Sequence, residues 1–187
     1  MDAQEFLEQI KAGRKDFTGV DLRGADLKKA CLSSTIFIRA NLESANLEGA
    51  WMDFIYLRDA NLSGANLKNV QLAYSFLERA NLTGANLSGA ILHESCFDNT
   101  VSIGANFSGV ELHQGGFQDA DLTGANFSNT ILQETDFENA NLTNANLRGA
   151  DAEEAFFDGA IFYNTIMPDG SISNKAPRTP KYWEVGS

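Results

Sequence analysis

The sequence predicts an all-β solenoid, in which short strands and turns coil into a stack, with one short α-helix capping its start. Three observations predict it. Every fifth residue from Phe17 to Met167, 31 positions without an insertion, is a large apolar one, with Ser102 and Ala152 the exceptions. Two residues before each, the position is nearly always Ala, Ser, Thr, Val or Gly, Ile55 being a large exception. Columns read at a spacing of twenty also share character. Phe37, Leu57, Leu77, Phe97, Phe117, Phe137 and Phe157 make a Phe-rich column; Asp26, Asn46, Asn66, Asn86, Asn106, Asn126 and Asn146 make a polar one. A second polar column holds Asn41, Asn61, Asn81, Asp121 and Asn141.

The elements follow in order. Residues 1–15 form the cap. Asp2 and Glu5 have the spacing of a capping box, Phe6, Leu7 and Ile10 share one helical face, and Gly13 suits the helix end, which places a helix over 2–12. Residues 16–167 form the repeat. A period of five is neither the 3.6 of a helix nor the 2 of a strand. A short strand that points residues i−2 and i inward, followed by a turn, makes one side of a polygon. In the phrase "ANLTG" at 80–84, Leu fills the core, Ala leaves room for it, and Gly suits the corner. Stacked Asn side chains can hydrogen-bond along the stack. One coil cannot offset its ordering cost of roughly 1–2 kcal/mol per residue, whereas stacked coils share a continuous core. Residues 168–187 open with Pro168-Asp169-Gly170, a turn signal, and end in a tail carrying Tyr182-Trp183, which either folds back on the last coil or is loose.

The units "ADL" at 25–27 and 120–122 and "ANL" at 40–42 and 45–47 resemble the pentapeptide repeat family, whose pattern is A-(D/N)-L-x-x, and the resemblance spans 16–167. The ending "TIMPDGSISN" (165–174) is similar to endings in cyanobacterial members. The resemblance implies a right-handed quadrilateral parallel β-helix with four repeats per coil. The run then makes about eight coils and a rod about 37 Å long at roughly 4.8 Å per coil.

The chain of 187 residues carries a net charge of −11, which argues against direct binding to nucleic-acid backbones and permits basic protein partners. Two distant cysteines without a CxxC pairing fit a reducing, cytoplasmic setting. The opening "MDAQEFLEQIKAG" is acidic and lacks the apolar core of a signal peptide, and no stretch approaches the roughly 18–20 apolar residues of a membrane span.

Function is expected where the outward residues leave the pattern. In the first half they are apolar: Ile36, Ile38, Trp51, Phe54, Tyr56, Tyr74 and Phe76. Aromatics anchor interfaces, so Ile36, Trp51, Phe54, Tyr56, Tyr74 and Phe76 form the candidate partner-binding site. The competing reading is that they stack to stabilise the coils or lie under the tail. In the second half the same sides turn acidic. Residues 93–158 hold 12 Asp and Glu against Arg148 alone, with Glu134 and Glu154 stacking in one column, Glu138 and Asp158 in another, and Asp136 and Glu153 nearby. This acidic face is either a solubilising surface or an anionic stripe that docks a basic groove. Members of the family that bind DNA gyrase look like B-form DNA in width and charge, and that resemblance implies the same for this rod. It departs from those members in having no loop between repeats and no recognisable C-terminal dimerisation region.

His93 and His113 should stack, with Glu94 and Glu111 close, but two exposed His are a weak metal signal and no metal is expected. Ser102 reads as a packing fault or bulge, because no base or oxyanion donor accompanies it. Catalytic residues and cofactors are therefore expected to be none. The sequence points to a non-enzymatic scaffold for a protein of unknown identity, with room for a homodimer. The alternative is an acidic DNA mimic acting on a topoisomerase such as DNA gyrase.

Overall fold

The computed structural model describes residues 1–176. Backbone pairing fixes the coil length directly. Parallel bridges join residues twenty apart from Asp16↔Ile36 to Asn146↔Ile166, always through the residue that precedes the inward apolar position. Each side of the coil ties to the next coil by a short set of bonds. The Phe17 N–H donates to the Ile36 carbonyl (2.8 Å), Gly19 N–H to Ile38 (2.9 Å), and Ile36 N–H back to Lys15 (2.8 Å). The coil has four sides, first to fourth at 16–19, 21–24, 26–29 and 31–34, and this order repeats every twenty residues.

Corners are tight turns. The Ala25 N–H donates to the Leu22 carbonyl (3.1 Å), closing a turn whose third residue, Gly24, has φ +62. A positive φ at that place marks a type II turn and favours Gly or Asn. Every corner residue from Gly19 to Asn164 is positive, including residues that pay a steric cost there.

The core is one column of buried side chains. Phe97, Phe117, Phe137 and Phe157 stack on the first side at 4.8, 5.4 and 5.1 Å, while Phe107 and Phe127 stack opposite at 4.8 Å. The two stacks meet edge to face, as between Phe107 and Phe117 at 5.4 Å and 85°. Such pairs add about 0.5–1.5 kcal/mol to burial. The second and third sides carry the polar ladders. Asn66 Nδ2 donates to Asn46 Oδ1 (3.1 Å) and Asn126 Nδ2 to Asn106 Oδ1 (3.2 Å). Each such Oδ1 also takes the N–H two residues on, as Asn106 does from Ser108 (3.1 Å), so one amide ties two coils and holds its own turn.

Both ends are closed by non-repeat chain. Helix α1 (Ala3–Lys11) starts at Asp2, whose Oδ1 accepts the Glu5 N–H (2.8 Å). Only this half of the capping box forms, since Glu5 Oε1 instead accepts from Gln9 Nε2 (3.2 Å). The helix ends in a Schellman motif: Gly13, at φ +90, donates to Ile10 and Arg14 donates to Gln9. Phe6, fully buried, sits on Phe17 (4.7 Å) and Phe37 (5.7 Å) and plugs the first coil. At the other end β1 (Thr165–Ile166) pairs antiparallel with β2 (Ile172–Ser173) through the Pro168-Asp169-Gly170 turn. The sequence indicates that turn but not the reversal of strand direction that ends the parallel stacking. Tyr182 and Trp183 lie outside the described residues.

Candidate functional site

The aromatic residues gather along one edge, where the fourth side turns into the first. Phe54 and Tyr74 are successive corner residues of that edge and stack at 5.1 Å and 8°. Tyr56 and Phe76 open the first side and stack at 5.0 Å and 13°. Their exposures are 53, 43, 44 and 39%, and Trp51, on the fourth side, is 58% exposed. Ile36 precedes Tyr56 in the bridge column but is half-buried. Between the two stacks the chain dips inward at Ile55 and Ser75, both fully buried.

This edge is built differently from the others. At Ile55 and Ser75 the turn bond gives way to hydroxyl bonds between coils: the Ile55 N–H donates to Ser75 Oγ (3.3 Å) and the Ser75 N–H to Ser95 Oγ (3.1 Å). Ser75 Oγ in turn donates to the Met52 carbonyl (3.1 Å). The corner residues above are the bulkiest of the rod at positive φ, with Phe54 at +58 and Tyr74 at +56. A large L side chain costs about 1–2 kcal/mol in that region, which Gly or Asn avoids. The flanking charges are paired. Arg79 holds Asp59 through two bonds (2.7 and 2.9 Å) and keeps its carboxyl below the usual range, and Arg58 holds Glu78 (2.8 Å).

The same edge continues into the acidic half. The corner column runs Phe54, Tyr74, Glu94, Gln114, Glu134 and Glu154, and the bridge column runs Tyr56, Phe76, Cys96, Gly116, Asp136 and Phe156. Glu138 and Asp158 lie beside the latter on the first side, so every acidic candidate falls on the aromatic edge or next to it. Gln114 Nε2 donates to Glu134 Oε2 (2.9 Å), and the Glu138 N–H donates to Asp136 Oδ1 (2.8 Å). Among the described residues Glu134, Asp136 and Glu138 form no ion pair with a base.

One feature of the edge carries no apolar or charged signal. Gly115, buried and facing the core, and Gly116 interrupt it, and both border a shallow surface concavity of about 390 Å³. A Cβ on Gly115 would strike Leu112 Cδ1 at 2.6 Å, and one on Gly116 would strike Asp98 Oδ1 at 2.6 Å. Asp98 leans over the gap and accepts the Gln118 N–H (3.0 Å). Burial pushes the Cys96 thiol beside it up to about 12, with the Asp98 and Glu78 carboxylates adding to the shift. The double glycine is visible in the sequence as the only adjacent pair in the repeat. Phe156, 37% exposed, shares the column of Tyr56 and Phe76 and is found by stepping on by twenty. Ile161 and Tyr163 form a further exposed apolar pair on the second side of the last coil.

The remaining candidates do no visible chemistry. His93 and His113 stack at 5.1 Å, with His93 Nε2 3.7 Å from Glu111, and no group of three metal-ligating residues occurs among the described residues. Ser102 is not a bulge. Its neighbour Val101 keeps the register with Asp121, and its buried hydroxyl donates to Thr100 Oγ1 (3.2 Å).

Compared with families of known proteins, the one described as pentapeptide repeats matches in eight copies, over residues 7–37, 40–73, 65–101, 103–144, 120–159 and 140–170. Curated proteins gave no match. Among solved structures the chain is similar to HetL, a pentapeptide repeat protein involved in heterocyst differentiation regulation from the cyanobacterium Nostoc, at 27% identity over 92% of this chain and 100% of that one, TM-score 0.31. It is similar to trypsin-treated QnrB1, a plasmid-mediated fluoroquinolone resistance protein, at 18% identity over 78% of each chain, TM-score 0.53, a likeness of fold. It is also similar to the pentapeptide repeat protein Rfr23 from the cyanobacterium Cyanothece, at 22% identity over 65% of this chain and 90% of that one, TM-score 0.46.

Proposed function

The chain belongs to the pentapeptide repeat family, and from that premise we propose that it is a non-enzymatic interaction module. In this reading it is a rigid right-handed quadrilateral β-helix that holds its aromatic edge out to a protein partner in the cytoplasm. The observation that carries the reading is the placing of Phe54 and Tyr74 at strained corner positions, exposed, where Gly or Asn would be stable at lower cost. Gly, Asn and Ser serve at the same turn position elsewhere along the rod. A contact surface favours the rings, because the few residues that carry most of an interface's energy are enriched in Trp and Tyr.

Site-specific photo-crosslinking tests it. A benzophenone amino acid is placed at Phe54 and, as a control, at Ser108 on the third side, and living cells are irradiated. The reading expects a discrete adduct from position 54 and none from position 108. Equal or absent adducts at both positions would remove the aromatic edge as the docking site.

A second reading rests on Glu134, Asp136 and Glu138, neighbours on one coil that lack basic partners among the described residues. It makes the rod an acidic DNA mimic that binds a topoisomerase such as DNA gyrase. Binding of that kind would fall steeply with salt and would disappear when these three become amides, with the aromatic residues intact.

A further inference from the structure

We infer that the aromatic residues and the acidic residues are two halves of one docking track for an extended peptide segment of a partner protein, apolar at one end and basic at the other. This rests on the interaction function proposed above and specifies the partner's chemistry. Continuity of the columns carries it. One line of bridges joins Tyr56, Phe76, Cys96, Gly116 and Asp136 without a change of side. Along it the surface passes from stacked rings, past the shallow concavity bordered by Gly116 and Asp98, to carboxylates.

The straight row selects the form of the occupant. The two aromatic columns are two residues apart, hence no more than about 7 Å at the backbone, and each continues from coil to coil in register. An extended chain, rising about 3.3 Å per residue, follows such a row and sets its side chains against one coil after another. Length selects its sequence. Phe76 and Asp136 are three coils apart, about 14 Å, which an extended segment covers in about four residues. The segment therefore carries apolar or aromatic residues, then Lys or Arg about four positions away, which reach Glu94, Asp98, Glu134 and Asp136 around the concavity. Charge disfavours a second copy as the occupant. The protein is strongly acidic, so a parallel copy sets carboxylates on carboxylates and an antiparallel one sets rings on carboxylates.

A random peptide library displayed on phage and selected on the intact protein tests the inference. Three proteins are compared: wild type, Phe54→Asn/Tyr56→Thr, and Glu94→Gln/Glu134→Gln/Asp136→Asn. Circular dichroism checks that both variants remain folded. The expected result is a consensus pairing apolar and basic residues at that spacing, with synthetic peptides losing about tenfold or more in affinity on each variant. Peptides lost only on the aromatic variant would keep the interaction function and overturn the two-part track. Peptides lost only on the amide variant would overturn the track and the aromatic site together. The absence of any selected sequence would also overturn both.

Discussion

At the scale of single residues, the corner position decides more than the repeat motif suggests. The sequence shows Gly, Asn and Ser at many corners, and turn chemistry explains those. It does not show that Phe54, Tyr74 and Glu134 adopt the same left-handed backbone, because the requirement is imposed by pairing with coils above and below. Replacing Phe54 by Asn relieves about 1 kcal/mol of backbone cost and forfeits a ring stack of about 0.5–1.5 kcal/mol. Chemical unfolding should therefore find Phe54→Asn within about 1 kcal/mol of wild type. A loss of several kcal/mol would mean that the exposed rings are there to hold the coils. Cysteine reactivity gives a second check on the same edge. Cys31 is exposed, whereas the Cys96 thiol is raised to about 12, mainly by burial. At pH 8 a disulfide reagent should modify Cys31 readily and the half-buried Cys96 much more slowly. Equal rates at the two would contradict the packing around the glycine concavity.

At the scale of elements, the repeat was legible and the ends were partly so. The five-residue series from Phe17 to Met167 and the twenty-residue columns gave the inward and outward residues correctly, because each rests on a strict alternation of burial. The helix was legible from Asp2, Phe6 and Gly13, since capping is a local interaction. The reciprocal Glu5 bond did not form, because Gln9 one turn on competes for the carboxylate. The hairpin of β1 and β2 was not legible. Its pairing depends on how the chain leaves the last coil, which no repeat pattern records. Phe6 is the most consequential residue of the N-terminal cap, being fully buried against two core rings. Phe6→Ala should cost about 3–5 kcal/mol. Hydrogen exchange should show the first coil opening ahead of the rest, since a solenoid is stabilised through neighbours and loses cooperativity from an uncovered end. Uniform loss of protection along the rod would contradict the plug role.

At the scale of the whole molecule, the four sides divide the work. The second and third sides carry most of the amide ladders, which hold coils together. The edge between the fourth and first sides carries the residues that the ladders do not require. Sequence reasoning found the aromatic and acidic residues and treated them as two competing surfaces. The twenty-residue period already put both on the same sides, and the bridges join them along one column, but the concavity between them, although bordered by a visible glycine pair, depends on how Asp98 and Gln114 lie over it. Charge follows the same division. The ion pairs of Arg58 and Arg79 neutralise the aromatic end, while Glu134, Asp136 and Glu138 form no ion pair among the described residues. On the proposed function, this edge is the surface by which the protein acts. The most direct test is quantitative capture from the source lysate at low salt. Wild type is compared with Trp51→Ala/Tyr56→Ala and with a control altered on the third side, Ser88→Ala/Ser108→Ala. If the edge is the docking surface, a specific protein is retained by wild type and by the third-side control, and lost with the Trp51 and Tyr56 substitutions. Retention of that protein by the aromatic variant, or its loss with the third-side control alone, would contradict it.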